Sequence, residues 1–322
     1  MNRVHLAQAS PDAPLQVVTG AFGFSGRYIA ERLLAKGERV RTLTNHPYSS
    51  SQMEVAPLDF RKPGELAESM KGAAVLYNTY WVRFAHGNVS HEKAVENTRQ
   101  LVRAAELAGV KRIVHVSITN PSLDSPLPYF KGKAAVEEVI RSSSLSYAIL
   151  RPAVVFGDED ILINNIAWLL RRFPWFAIPG RGDCGLQPIF VEDLAALAVE
   201  SGHSGENFVI DAVGPEVYQY AKLVDLIRRT IASRSRIIHL PPSWVRLASW
   251  LLGFLVDDVV LTKDEISGLM TNLLVSRQAP TGGTSLRAWL QGHAHAIGAK
   301  YASELSRHYR FKASAQPIRT VG

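Results

Sequence analysis

Two side chains suited to proton transfer, Tyr129 and Lys133, stand four residues apart in the segment PYFKGK. That spacing places both on one face of a helix. A tyrosine hydroxyl has a pKa of about 10 in isolation, and a neighbouring ammonium group lowers it. The pair can therefore give or take a proton near neutral pH. Ser117 and Thr119 close a predicted strand just upstream, where a hydroxyl can hydrogen-bond a carbonyl oxygen.

A Tyr-x-x-x-Lys spacing is common on ordinary helix surfaces, so its position in the chain matters. Residues 17–26 read VVTGAFGFSG, with Gly20, Gly23 and Gly26 directly after one predicted strand and at the start of a helix. Such a loop presents backbone N–H groups to a pyrophosphate at a helix N-terminus. The segment therefore predicts a dinucleotide site formed by Gly20, Phe22, Gly23, Phe24, Ser25, Gly26 and Arg27.

The end of the second predicted strand bears on the choice of cofactor. An acidic residue there would bond a ribose 2′-hydroxyl and favour NAD. This strand ends Thr44-Asn45-His46, and Arg27 and Arg41 lie nearby in the predicted unit. A 2′-phosphate would meet these basic side chains and no repelling carboxylate, so NADP(H) is favoured over NAD(H). Asn45 and His46 are predicted to be cofactor-binding residues.

Two further segments follow predicted strands. After the third, Asp59 can accept a hydrogen bond from an adenine amino group while Phe60 packs on the ring. After the fourth, Asn78 is expected to lie over the cofactor. Tyr80 and Trp81 either stack on a substrate ring or pack as part of the wall.

Short β-branched runs alternate with amphipathic helical stretches from Gln16 to Leu150, which predicts a doubly wound parallel α/β sheet of the Rossmann type. We expect a dinucleotide-binding domain at 14–158, with 186–213 returning to it and both of its strands able to rejoin the sheet. Residues 159–185 and 214–311 are expected to form a smaller, mostly helical C-terminal substrate lobe. Residues 1–13 and 312–322 are predicted to be flexible tails.

Composition excludes several classes of protein. The 322 residues carry a net charge of +7, but the charge is spread along the chain without a basic stripe, so nucleic-acid binding is not expected. The single cysteine, Cys184, excludes an internal disulfide. His293 and His295 lack a nearby third ligand, so no metal site is expected. The first residues do not form a signal peptide, which predicts a cytoplasmic protein.

One apolar stretch, WVRLASWLLGFLV from Trp244 to Val256, is shorter than the ~20 residues that span a bilayer. It is interpreted as a helix packed over a pocket or a subunit partner, with a membrane-surface helix as the alternative. A peripheral membrane or protein-complex contact is therefore possible, and the oligomeric state is left open.

The motifs together resemble those of extended and atypical short-chain dehydrogenases/reductases, which include NAD-dependent epimerases and dehydratases. Within that superfamily the chain is most similar to the branch containing the nucleotide-binding accessory subunit of respiratory complex I. The resemblance rests on TGAFGFSG (19–26), VKRIVHVS (110–117), YFKGK (129–133), LRPAVVFG (150–157), FGDEDILINNIAWL (156–169) and QPIFVEDLA (187–195).

The resemblance implies roles for individual residues. Tyr129 would be the acid/base, Lys133 would hold the nicotinamide ribose, and Thr119 would be the hydroxyl, with Ser117 as second choice. The nicotinamide side would be lined by Pro152 and Val155. Substrate contacts would fall at Asn164, Asn165 and Trp168, unless these are polar and packing positions of an ordinary helix.

Two departures from the family pattern leave two functions open. Ala94 replaces the asparagine that helps the proton relay, and the loop from Thr119 to Tyr129 is shorter than in sugar-nucleotide epimerases. The first hypothesis is an NADP(H)-dependent oxidoreductase or epimerase-like enzyme acting on a small carbonyl or hydroxyl substrate. The alternative is a non-catalytic NADPH-binding scaffold, assembly factor or redox sensor for a partner or membrane complex.

Overall fold

The computed structural model describes residues 13–45, 49–85, 87, 89–258, 267–268, 270–303 and 305. The chain divides into two compact units. The first comprises Met1–Arg151, Leu194–Ile210 and Lys312–Gly322, and the second comprises Pro152–Asp193 and Asp211–Phe311. Apart from Ala13, the predicted tails lie outside the described residues.

The strands are β1 (Leu15–Thr19), β2 (Arg39–Thr44), β3 (Glu54–Pro57), β4 (Ala73–Asn78), β5 (Arg112–Val116), β6 (Ser146–Pro152), β7 (Val154–Phe156), β8 (Trp175–Pro179), β9 (Gly185–Leu186), β10 (Pro188–Phe190), β11 (Phe208–Ala212), β12 (Tyr218–Gln219) and β13 (Arg236–Leu240). The helices are α1 (Phe24–Ala35), α2 (Pro63–Glu68), α3 (His91–Leu107), α4 (Pro128–Arg141), α5 (Leu162–Arg172), α6 (Val191–His203), α7 (Tyr220–Thr230), α8 (Pro242–Val256) and α9 (Leu286–His293).

A seven-stranded sheet forms the centre of the first unit, in the order β11-β6-β5-β4-β1-β2-β3. The pairs from β3 through β6 are parallel. Every residue of β1 is buried, as expected of a parallel strand covered on both faces. The predicted doubly wound α/β fold is therefore confirmed. The strand order reverses between β1 and β4, because β2 and β3 follow on one side of β1 and β5 and β6 continue on the far side of β4. Such sheets bind ligands at this point, beyond the carboxyl ends of the strands.

Helices cover both faces of this sheet. Successive strand residues point to opposite sides. Leu76 joins an apolar cluster with residues of α2, α3 and α4, whereas its neighbour Tyr77 packs against Gly202 of α6. A contact between Nε2 of His203 and Oε1 of Glu38, at 3.1 Å, joins the end of α6 to the turn after α1.

The second unit is built around α5, α7 and α9. Its apolar core includes Phe156, Ile163, Leu223 and Trp289. Three two-stranded sheets accompany the helices, formed by β10 with β7, β12 with β9, and β13 with β8. No helix in the described part of the chain has the length and apolarity needed to cross a bilayer.

The segment 186–213 departs in one respect from the sequence expectation. Its second strand, β11, lies at the edge of the main sheet next to β6, but its first strand, β10, pairs with β7 instead. β10 has only three residues and begins with Pro188, which has no N–H to donate to a sheet. β7 also has three residues, so the two strands pair through a short ladder of backbone hydrogen bonds.

Candidate functional site

The glycine loop between β1 and α1 is tightly closed. Gly20 has a φ of +66°, a left-handed conformation that favours glycine. The N–H of Gly23 donates to the carbonyl of Gly20 at 2.8 Å. A side chain at Gly26 would collide with the Gly20 carbonyl oxygen and lie 3.1 Å from that of Thr19. Only glycine at position 26 lets the helix start this close to β1.

The N-terminus of α1 suits an anion. Gly23 is the N-cap and supplies no side-chain hydrogen bond, and the first turn holds no acidic residue. The first N–H groups of a helix have no acceptors within the helix, and the helix dipole adds positive potential there. Phe24 packs edge-on against Tyr28, with ring centroids 5.9 Å apart. The loop therefore fits the pyrophosphate of a dinucleotide.

A buried polar network ties the ends of β1, β4 and β5 together behind this loop. The hydroxyl of Thr19 accepts from the N–H of Thr79 at 2.8 Å. Asn78 accepts from the N–H of Tyr80 at 3.1 Å, which fixes its oxygen, so its amide nitrogen donates to Nδ1 of His115 at 3.1 Å. Asn78 thus holds the strand ends in place, and any cofactor contact it makes stays a prediction.

Two of the residues predicted to determine the preference for NADP(H) already contact other side chains of the protein. Arg27 lies 3.6 Å from Glu31, measured from Nε to Oε1, and its guanidinium lies 5.0 Å from the ring centroid of Tyr28. Arg41 binds Glu54 and donates to the carbonyl of Ser69, so its charge is directed toward β3 and α2. Exposed residue Asn45 follows β2, and His46 lies outside the described residues.

The predicted adenine contacts have partners of their own. Asp59 forms a two-pronged ion pair with Arg61, at 2.8 and 2.9 Å. These bonds lower the pKa of Asp59 to about 2. Phe60 packs against Tyr80, with ring centroids 4.9 Å apart. The Tyr80 hydroxyl accepts from Asn97 of α3 at 2.8 Å, and a substrate contact of Tyr80 stays a prediction.

Trp81 is the centre of an aromatic group. Its ring stacks on His91 at 5.7 Å and meets Tyr129 edge-on at 5.9 Å. Tyr129 also meets His91 edge-on at 5.8 Å. A Cβ on Gly132 would lie 2.8 Å from the Trp81 ring, so the absence of a side chain there lets α4 approach the indole.

Lys133 lies next to this group and is almost wholly buried, at 3% exposure. Its Nζ donates to the carbonyl of Val116 at 2.8 Å and lies 4.8 Å from the Trp81 ring centroid. Burial lowers the pKa of Lys133 to about 7, although the nearby Glu137 acts in the opposite direction. Burial, and then the charge of Lys133, also lower the pKa of His115 well below its usual value.

The two candidate hydroxyls differ in their surroundings. Ser117 donates to Oε1 of buried Glu137 at 2.6 Å. The same carboxylate binds Arg151, whose Nε lies 2.9 Å away, and Arg141 at 3.3 Å. The Ser117 hydroxyl is therefore hydrogen-bonded within a cluster formed by Glu137, Arg141 and Arg151. Thr119, two residues beyond, is fully buried, and its role as the substrate-binding hydroxyl stays a prediction.

The remaining predicted residues belong to the second unit. Asn164 donates to Asp160 at 3.2 Å and accepts from Gly298 at 3.2 Å. Asn165 makes two bonds to the backbone of Ala302, at 3.0 and 2.8 Å. Trp168 packs against Tyr301 with ring centroids 5.2 Å apart. These contacts tie α5 to residues 298–302, so a substrate role for the three stays a prediction.

Pro152 and Val155, predicted for the nicotinamide side, also fall in the second unit. Pro152 is buried at the end of β6. Val155 is half-buried on β7, opposite Ile189 of β10. Their contact with a cofactor stays a prediction.

Sequence reasoning missed His91, His115, Glu137 and Arg151. One signal could have found Glu137, which follows Lys133 by four residues and therefore shares its helix face. His91 and His115 carried no local signal, because their partners lie on other strands and helices.

Comparisons with known proteins agree with this geometry. Residues 20–164 match a family described as NAD(P)H-binding. The mitochondrial NADH dehydrogenase (ubiquinone) 1 alpha subcomplex subunit 9 of Arabidopsis thaliana is 26% identical over 295 residues, which cover 84% of this chain and 73% of that protein. A ceramide reductase of Caulobacter vibrioides is 26% identical over 250 residues, covering 74% and 76%.

Solved structures show the same fold. An NADPH-dependent quinone oxidoreductase of Escherichia coli, complexed with NADPH, superposes with a TM-score of 0.68 at 19% identity, covering 86% of this chain and 99% of that one. A UDP-glucose 4-epimerase of Thermotoga maritima gives a TM-score of 0.64 at 15% identity, covering 88% and 98%. The chain therefore shares its fold with these solved structures, its residues 20–164 match an NAD(P)H-binding family, and it is similar over most of its length to the complex I subunit.

Proposed function

We propose that the protein is an NADP(H)-dependent oxidoreductase that interconverts a carbonyl and a hydroxyl group on a small, partly apolar substrate. The observation that carries this proposal is the position of Lys133. Its Nζ is bonded to the last residue of β5 and lies over Trp81, whose edge meets Tyr129. The phenol and the ammonium thus both lie next to one indole at the carboxyl edge of the sheet, where such folds bind ligands.

The roles follow from the chemistry of each group. Bound NADPH would supply the hydride to the carbonyl carbon. Tyr129 donates its hydroxyl proton to the carbonyl oxygen, so the product is the alcohol and the phenolate is left behind. Lys133, when protonated, balances that negative charge, and Thr119 orients the carbonyl oxygen by a hydrogen bond. The aromatic surroundings from Trp81 and Tyr129 favour a substrate with an apolar portion.

The preference for NADP(H) rests on charge. No carboxylate stands at Thr44 or Asn45, where one would repel a 2′-phosphate. Arg27 in the first turn of α1 supplies a guanidinium, a group that binds phosphate with directed hydrogen bonds. Glu31 already lies near that guanidinium, so the 2′-phosphate would share Arg27 with it.

A second candidate is a non-catalytic NADPH-binding scaffold for a partner complex. It is supported by the Val116 carbonyl and the Trp81 face, which already occupy the Lys133 ammonium. Ala94 stands where the related enzymes carry a relay asparagine. The Arabidopsis relative is named as a subunit of NADH dehydrogenase.

The two functions are separated by a turnover assay with NADPH and a panel of aromatic and long-chain ketones. The oxidoreductase proposal expects turnover that falls by about two orders of magnitude or more in Tyr129→Phe, because the proton donor is lost. Tyr147→Phe, on β6, is the matched control and should keep full activity. Tight NADPH binding with no turnover by the wild type would favour the scaffold, whereas unchanged turnover in Tyr129→Phe would remove Tyr129 as the proton donor.

A further inference from the structure

Helix α8 of the second unit has a buried side and, opposite it, an exposed side that is apolar. Val245 and Ser249 are buried against the unit. On the other side, large apolar side chains are between 48% and 70% exposed. They are Trp244, Leu247, Trp250, Leu251 and Phe254, which we call the outer face of α8.

The outer face is continuous. At about 100° per residue, its members fall within an arc of about 120° on the side opposite Val245 and Ser249. Trp250 and Phe254 touch edge-on, with ring centroids 4.7 Å apart. A surface helix normally carries polar residues on the side away from the core, and exposed apolar patches of this kind mark interaction sites.

The charge around α8 indicates what covers this face. From Leu226 to Val256 the chain contains Arg228, Arg229, Arg234, Arg236 and Arg246 and no Asp or Glu, and the nearest acidic residues are Asp225 before this segment and Asp257 and Asp258 after it. Arg228 and Arg229 are paired with Asp225 on α7. Arg234, Arg236 and Arg246 are exposed. The partner that covers the outer face of α8 is therefore expected to combine an apolar interior with negatively charged groups at its surface.

We propose that α8 anchors the protein in the plane of an anionic lipid membrane, with its outer face inserted among the acyl chains and the arginines at the headgroups. A bilayer supplies both features at once, and tryptophan is favoured at the boundary between them. Arg246, next to the outer face along the helix, can extend its guanidinium toward the headgroups while its stem stays apolar.

The length of α8 decides its orientation. Its 15 residues extend about 22 Å, which is short of the ~30 Å hydrocarbon core. Helices of this kind lie in the interface rather than across it. This proposal uses none of the residues of the nucleotide site, so it stands or falls separately from the proposed function.

The test is flotation of the full-length protein with vesicles of phosphatidylcholine alone and of phosphatidylcholine with 30% phosphatidylglycerol. We expect binding to the anionic vesicles that weakens at least tenfold in the triple variant Trp244→Ser/Trp250→Ser/Phe254→Ser. Arg234→Gln/Arg236→Gln/Arg246→Gln should weaken binding to anionic vesicles only. Brominated lipids should quench Trp fluorescence in the wild type.

The matched control is Leu107→Ser/Leu123→Ser/Val217→Ser, which removes exposed apolar side chains elsewhere and should bind vesicles as the wild type does. NADPH affinity serves as the check of folding for every variant. The proposal is overturned if the α8 triple variant still floats with anionic vesicles. It is equally overturned if the wild type binds no vesicles but forms a dimer that the same substitutions dissolve, because a second copy would then cover the outer face.

Discussion

The ammonium of Lys133 donates a hydrogen bond to the carbonyl of Val116, 2.8 Å away, at the last residue of β5. This contact holds a cation at the carboxyl edge of the sheet, next to the strand ends linked by Asn78 and His115. The cation is buried, so water does not screen it, and its protonation becomes sensitive to pH near neutrality. Buried contacts beneath the proposed acid/base site therefore hold the Lys133 ammonium in position.

Replacement of Lys133 by Met tests this burial through stability. The folded protein has a Lys133 pKa of about 7, below the ordinary 10.5 of the unfolded chain. The unfolded state therefore binds more protons between these values, and the wild type gains stability as pH rises through this window. Lys133→Met lacks that gain, so its stability relative to the wild type should be greatest at pH 6 and decline toward pH 9.

Urea unfolding midpoints at pH 6, 7, 8 and 9 measure this difference. Titrating groups that do not interact with Lys133 cancel in the comparison because both proteins contain them. A difference that stays constant across this range would mean that Lys133 does not change its protonation there.

Gly26→Ala tests the close approach of α1 to β1. The added Cβ would meet the Gly20 carbonyl, so the loop must open. We expect NADPH affinity to fall by about tenfold or more, because the amide groups no longer converge on the pyrophosphate. Gly64→Ala in α2 is the control, since nothing lies within 4 Å of its Cβ position. Equal affinities in calorimetric titrations of both variants would place the dinucleotide elsewhere.

Arg27→Ala tests the choice of cofactor. Loss of the guanidinium should weaken NADPH binding by about tenfold and leave NADH binding nearly unchanged, because only NADPH carries the 2′-phosphate. Arg32→Ala, on the exposed side of the same helix, provides the comparison. Parallel losses for NADPH and NADH would remove Arg27 from the selectivity argument.

Glu137→Gln tests the ionic cluster behind the site. The buried carboxylate binds Arg151, Arg141 and Ser117, and removing one partner of a buried ion pair costs about 3 kcal/mol or more. Glu138→Gln, next to it and more than half exposed, should cost about 0.5 kcal/mol or less. Chemical denaturation at pH 7 compares the two. Similar losses would show that burial of Glu137 adds little.

Much of the first unit was predictable because its signals are local. The glycines at 20, 23 and 26 and the alternation of strands and helices predicted the doubly wound sheet, which the strand order confirms. Tyr129 and Lys133 share a helix face by spacing alone. Asp59 and Phe60 follow β3 as expected, since this strand ends at Pro57.

The sequence by itself determined the class of fold, the glycine loop and the helix face that carries Tyr129 and Lys133, because each depends on neighbours a few residues apart. Only the tertiary structure showed that Lys133 contacts Trp81 and Val116 and that Ser117 donates a hydrogen bond to Glu137. The apolar run of α8 could not indicate which side is buried, because apolar residues lie on both. These features depend on contacts between distant segments, and burial, which sets the cost of every charge and apolar surface, exists only once those segments have packed.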